Sequence, residues 1–256
     1  MKEANSTINT ITFKEEKNMK RRIAILTRSK KNEGMHKGYC VAGIDVDTNE
    51  WVRLKRMDSS TLREEHIITD TGYECKELDV VEVECLDEPS GRDYQPENIY
   101  VNPDVPFKLL YRTTWADIIS RGIEVKDENG MILGSISYRE TAYQVSKLKD
   151  KTSLQLIKVR DLTIFNDQCK VTNDSDISWT VDRIKASFTY QGQNKYCFSV
   201  TDRDYLELAK EKDIHIPSAY LVVSRGEPFT NSRSKCTYHY SIVAKIIENR
   251  EVSMAA

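Results

Sequence analysis

Cations and hydroxyls alternate with apolar side chains across residues 181–201, and this is where the chain comes nearest to chemistry. Ile184, Ala186, Phe188 and Tyr190 recur at the two-residue period of a strand, and Arg183, Lys185, Ser187 and Thr189 fall on the other face. A turn at Gln191, Gly192, Gln193 and Asn194 returns the chain through Lys195. Tyr196, Phe198 and Val200 then alternate with Cys197, Ser199 and Thr201. One face of this hairpin is a core face, shared by Tyr190 and Tyr196. The other is cationic and hydroxylated, which suits a polyanion. Arg225 and Tyr238, further along, are the residues expected to join Arg183, Lys185 and Lys195 there.

A second cluster lies in the first half, where Arg28, Lys30, Lys31 and Lys37 precede Tyr39, Trp51, Arg53, Lys55 and Arg56. Single-strand binding needs cations that neutralise phosphates beside rings on which bases stack, each stack contributing about 1–3 kcal/mol. The competing reading makes Trp51 a half-buried sheet residue and the lysines solvated surface. Enzymatic patterns are weaker. His36, His66, His215 and His239 are scattered, with no metal-ligand or nucleophile-base spacing, and no P-loop occurs. The run 199–203 sets hydroxyls beside a carboxylate, and Asp202 as a helix cap accounts for it. Cys236, His239 and Asp202 form a nucleophile, base and orienter only if the fold brings them together. No catalytic residue, metal or cofactor is expected.

At 256 residues, with 39% apolar and 30% charged residues, the chain is expected to be a soluble, cytoplasmic protein. It has no run of about 18 apolar residues that spans a bilayer, so no membrane partner is expected. Six cysteines form no CxxC pair and read as reduced thiols. Residues 1–19 read as a disordered extension, with Met19 a plausible start just before the first strand. The net charge of −2 hides a partition: residues 20–56 hold ten Lys/Arg and four Asp/Glu, and residues 57–104 hold three and fourteen. Either the blocks compensate each other in space or they mark opposed surfaces.

Strands are expected over residues 21–27, 38–46, 50–54, 78–86 and 97–101, with 28–37 an exposed, mobile loop. Thr114 caps a helix that ends before Gly122, and 138–149 holds a short one. A second run of strands covers 153–165, the hairpin, 219–224 and 238–248, with a helix over 202–212. Five strands and one helix, twice, match two OB-like five-stranded barrels in a mainly β fold. The expected division is a first barrel at 20–110, a helical connector at 111–151 and a second barrel at 152–250.

The blocks IAILTRS from Ile23, GYCVAG from Gly38 and WVRL from Trp51 resemble the opening of the bacterial dual OB-containing domain family. SLQLI from Ser153, KASFTY from Lys185, SVTD from Ser199, SRGEPF from Ser224 and YSIVAKII from Tyr240 resemble its second half. The resemblance covers about residues 21–248 and departs at Arg203 and Arg225, both of which add charge. It implies tandem OB barrels that bind nucleic acid or nucleotide in a bacterial defence or mobile-element setting. The expected function is therefore a non-catalytic module for single-stranded nucleic acid or a nucleotide, with a protein encoded nearby as a further candidate partner. One alternative is a scaffold that docks a basic partner through the acidic segment 57–104; another is a nucleic-acid hydrolase.

Overall fold

Runs of β-branched residues pair, mostly antiparallel, to build both halves. The computed structural model describes residues 19–31, 38–58, 61–86, 94–172, 178–192, 194–230 and 235–253. Residues 1–18 of the expected extension, Lys37 and Gln193 lie outside these. The first half holds β1 (Met19–Lys31), β2 (Gly38–Asp45), β3 (Trp51–Lys55), β4 (Asp79–Cys85), β5 (Asn98–Tyr100) and β6 (Lys108–Arg112). A connector carries α1 (Trp115–Ser120), β7 (Arg139–Thr141) and α2 (Ala142–Ser146). The second half begins with β8 (Leu154–Asn166), β9 (Cys169–Thr172), β10 (Ser178–Val181), β11 (Ile184–Tyr190) and β12 (Asn194–Val200). It continues through α3 (Arg203–Leu206), α4 (Leu208–Glu211), β13 (Ile214–Arg225), β14 (Phe229–Thr230), β15 (Thr237–Glu248) and α5 (Asn249–Ser253).

The two halves share one wiring. β1 pairs with β2 and β4, β2 with β3, and β3 runs parallel to β5, which closes onto β4 at a Cys85–Val101 bridge. Likewise β8 pairs with β11 and β13, β11 with β12, and β12 runs parallel to β15, which closes onto β13. Each is a closed five-stranded barrel with strands in the order one, two, three, five, four. β6 extends β4 outside the first barrel, and the β9–β10 hairpin is inserted between β8 and β11.

Two expectations need correction here. The segment from Arg28 to Lys31 continues β1, because Arg28 and Lys30 pair with Val41 and Tyr39 of β2 and the ladder satisfies their backbone groups. The β9–β10 hairpin was not expected, since its residues, including the exposed Trp179, bury too little to leave a pattern.

Alternation decides which side chains enter each barrel. Ile184, Ala186, Phe188 and Tyr190 of β11 and Tyr196, Phe198 and Val200 of β12 face inward, as their period requires. Phe188, Tyr196 and Phe198 pack with ring centroids 5.4–5.7 Å apart. Tyr190 donates to the Val125 carbonyl at 2.9 Å and Tyr196 to that of Gly130, which anchors the connector beneath the second barrel. Thr114 and Thr141 close capping boxes on α1 and α2. Gly43 is required where β1 bulges, since a Cβ there would lie 1.9 Å from the Ala24 carbonyl oxygen.

A third core joins the barrels. Ile23 and Ile25 point into the first barrel, whereas Ala24 and Leu26 point out and meet Leu156, Tyr220, Val222 and Ile247 of the second. Trp115 and Ile118 of α1 cap this layer. The strands are therefore buried on both faces. Around that core, Lys245 lies 3.0 Å from Glu77 of the first half, 3.2 Å from Asp202 and 2.5 Å from Asp204. The charge blocks compensate in part: Lys20 pairs with Glu82 across the sheet, and Arg28 pairs with Glu74 of the loop before β4. Among the described residues, no helix is long and apolar enough to cross a membrane.

Because the halves share a core, they are expected to unfold together. Chemical denaturation followed by tryptophan fluorescence and by circular dichroism should give coincident single transitions, and Leu156→Ala should lower stability by about 2–5 kcal/mol. Two separated transitions would show that the shared layer does not couple the barrels. Gly43→Ala should likewise destabilise the first barrel, measured as a lower melting temperature.

Candidate functional site

β3 alternates Trp51, Val52, Arg53, Leu54 and Lys55, and Val52 and Leu54 enter the first barrel. Trp51, Arg53 and Lys55 consequently face outward, toward the second barrel. Trp51 packs against the shared core. Beyond it the two surfaces diverge into a cleft of about 900 Å³, with Arg53 and Lys55 on one wall. The facing wall is Ser224, Glu227, Ile242 and Ala244, with Thr201 and Arg203 at its side and Lys30 at the rim of the first barrel.

The two cations are buried, Arg53 at 7% exposure and Lys55 at 2%. They differ in their company. Lys55 Nζ donates to Glu227 at 3.0 Å and to Gln95 at 3.1 Å, and Gln95 in turn donates to the Arg225 carbonyl. Arg53 Nη2 donates to Ser224 Oγ at 3.0 Å, whereas Nη1, itself buried, has no hydrogen-bond partner among the described residues. Burial lowers the pKa of this guanidinium, opposed chiefly by the charge of Glu97. The Glu97 carboxylate is itself engaged, accepting from the Ser153 amide and, at 2.8 Å, from its hydroxyl. The lining holds four cations, Lys30, Arg53, Lys55 and Arg203, against the carboxylates of Glu207 and Glu227. The excess of cations over carboxylates in its lining lets such a cleft favour an anion.

The cleft opens onto an aromatic shelf. Tyr238, Tyr240, Ile242 and Ala244 of β15 share one outward face, and Ile242 and Ala244 line the cleft. Tyr240 meets Tyr138 at 6.3 Å, Tyr238 at 6.2 Å and Phe229 at 6.5 Å between ring centroids. The Arg139 guanidinium stacks 4.9 Å from the Tyr238 ring and 5.4 Å from that of Tyr138. Phe229, 60% exposed, belongs to both shelf and cleft.

Residues 21–246 match the family model described as the dual OB-containing domain. The chain belongs to that family. No curated protein matches it. An OB barrel binds across the outer face of its second and third strands, and in the first barrel of this dual OB protein that face, on β2 and β3, is the wall of the cleft.

The sequence-derived residues divide accordingly. Arg53 and Lys30 line the cleft, Trp51 lies in the shared core beside it, and Tyr238 lies on the shelf. Arg28 is turned away from the cleft by Glu74, at 2.5 Å, and the Cys75 carbonyl. Lys31 is in β1 and Lys37 lies outside the described residues. Tyr39 corrects the expectation of a stacking ring: it is 5% exposed and packs inside the first barrel, with Arg28 and Lys30 over its face. Arg225 is corrected as well. It follows Ser224 and so faces the opposite side of β13, where it is fully buried, donates to Glu140 at 3.0 Å and holds the Leu133 and Thr152 carbonyls. It is a structural tie.

Arg183 and Lys195 remain exposed on the outer face of the hairpin, and Lys185 pairs with Asp167 at 2.5 Å. The register Lys185, Ser199, Ile242, Ser224 carries that face to the cleft across four strands, a span of roughly 14 Å. The possible triad does not assemble. Asp202 accepts from the Ile246 amide and His239 bonds Gly226, so they meet β15 seven residues apart, roughly 20 Å. Sequence reasoning missed Tyr138, Arg139, Tyr240 and Phe229. The alternation of Tyr238 and Tyr240 was the available signal for the shelf.

Since Arg53 makes no ion pair among the described residues, its removal should not unfold the protein. Arg53→Met is expected to melt within about 1 kcal/mol of wild type, or above it. Arg225→Met, which strands Glu140, should cost about 3–5 kcal/mol. Thermal unfolding of the two variants side by side checks this contrast.

Proposed function

We propose that this dual OB protein binds single-stranded nucleic acid or a nucleotide, with the aromatic shelf taking bases and the cleft taking phosphate. The observation that carries this reading is the continuity of the two surfaces along β15, from Tyr238 and Tyr240 to Ile242 and Ala244. Rings on the shelf offer sequence-tolerant stacking, and the Arg139 plane adds to it. The hydroxyls of Thr201 and Ser224, with Lys30 and Arg203, suit a sugar-phosphate backbone at the cleft. The paired acids of segment 57–104, such as Glu82 with Lys20, weigh less for a docking surface.

Fluorescence anisotropy with DNA and RNA oligomers at about 50 mM salt tests the reading. Single strands should bind better than duplexes. Their affinity should fall as salt rises, by a log-log slope of about 0.7 per phosphate neutralised. Tyr238→Ala and Phe229→Ala should each weaken binding by about 1–3 kcal/mol. Shelf variants that bind as tightly as wild type would remove the reading's support.

A further inference from the structure

Arg203, exposed at the start of α3, lines two cavities at once. One is the cleft, and the other, of about 410 Å³, is bounded as well by Arg28, Lys76, Glu77, Asp202 and Asp204. The two spaces adjoin at this side chain. β15 sets their order: Phe229 pairs with Tyr238 at one end of the strand, Ile242 and Ala244 line the cleft, and near the other end the Ile246 amide donates to Asp202, the residue before Arg203. From Tyr238 to Ile246 the strand spans roughly 25 Å. The shelf and the second cavity therefore lie at opposite ends of the cleft.

Charge along this line is unevenly shared. The carboxylates have partners: Glu227 holds Lys55, Glu207 pairs with Lys210 at 2.7 Å, and Glu77, Asp202 and Asp204 gather on Lys245. Arg28 is taken by Glu74. Lys30, Lys76 and Arg203 are exposed and make no ion pair among the described residues. Two of them are held over rings, Lys30 Nζ 5.6 Å from the Tyr39 centroid and Lys76 Nζ 5.7 Å from that of Tyr73. A cation placed by a ring rather than a carboxylate keeps its charge for a phosphate. Lys30 and Lys76 come from the first half and Arg203 from the second, so they flank the junction from both sides.

We propose that the shelf, the cleft and the second cavity form one track for the interior of a single nucleic-acid strand, with Lys30, Arg203 and Lys76 taking phosphates beyond the shelf. This rests on the binding reading above and narrows it. A track with exposed residues at both ends, Phe229 at one and Lys76 at the other, has no need of a strand terminus and outruns a mononucleotide. At the stacked spacing of about 3.4 Å per nucleotide the β15 span holds about seven, and an extended strand places fewer.

Competition against a labelled strand of about 12 nucleotides, read by anisotropy at about 50 mM salt, tests the track. The competitors, DNA or RNA as direct titration favours, are a nucleoside 5′-monophosphate, strands of about 3, about 6 and about 12 nucleotides, and a closed circular single strand beside the same strand cut once. Affinity should rise at least about tenfold from the shortest strand to the longest, and the circle should compete as well as the cut strand. Arg203→Ala and Lys76→Ala, shown to be folded by their melting temperatures, should each lower the log-log salt slope of the longest strand by about 0.7. A circle that fails to compete overturns the proposal, because the protein then needs an end. So does a monophosphate or shortest strand that binds as tightly as the longest, or a salt slope unchanged in both folded variants. The circle and the length series need no variant. Each of these results leaves the broader reading standing, since Tyr238→Ala and Phe229→Ala test the shelf separately. A labelled strand that does not bind removes both.

Discussion

The apolar layer between the barrels is the constraint on which the rest of the molecule depends. Ala24, Leu26, Ile44 and Val80 leave the first barrel on its outer side and are buried in one cluster with Leu156, Tyr220, Val222 and Ile247 of the second. An OB barrel alone keeps its ligand face open. Here the shared layer presses the second barrel against part of that face, and it converts the remainder from an open sheet into a walled cleft. The polar contacts at its margin, from Lys55 to Glu227 and from Ser153 to Glu97, set how far the walls stand apart.

Two buried arginines show what such a fold does with charge. Arg225 has lost its water but holds a carboxylate and two carbonyls, so its burial is matched by partners and it ties β13 to the connector. Arg53 has lost its water, and among the described residues a serine hydroxyl is its one side-chain hydrogen-bond partner. A folded protein keeps an under-satisfied guanidinium at a cost. Lys245 lies between these cases: burial opposes its charge, yet Asp202, Glu77 and Asp204 together raise its pKa, so it stays protonated as a bridge between the halves.

Much of the fold was legible. The alternation of Ile184, Ala186, Phe188 and Tyr190 against Lys185, Ser187 and Thr189 assigns the two faces of β11 without any structure. The caps at Thr114, Asp202 and Gly122 follow from side-chain chemistry that acts within one turn. The site was legible only in pieces. Arg53, Lys30, Trp51 and Tyr238 were singled out, but so were Tyr39 and Arg225, because a ring or a cation looks the same in sequence whether it faces solvent or core. In Tyr39 the register of β1 with β2 turns the ring inward; in Arg225 one step along β13 reverses the direction of the side chain.

What the sequence determined by itself was local: the period of each strand, the caps, the turn after Tyr190 and the mainly β class, all set by interactions between near neighbours. Its unbroken apolar runs, such as 23–26 and 221–223, also required strands covered on both sides, without naming the cover. Only the tertiary structure decided that the cover was the other barrel, that Arg53 and Lys55 stand across from Ser224 and Glu227, and that the aromatic shelf continues into their cleft. Those pairings join residues more than 120 positions apart, and their partners are chosen by the packing of complementary surfaces, which no pattern within a single strand encodes.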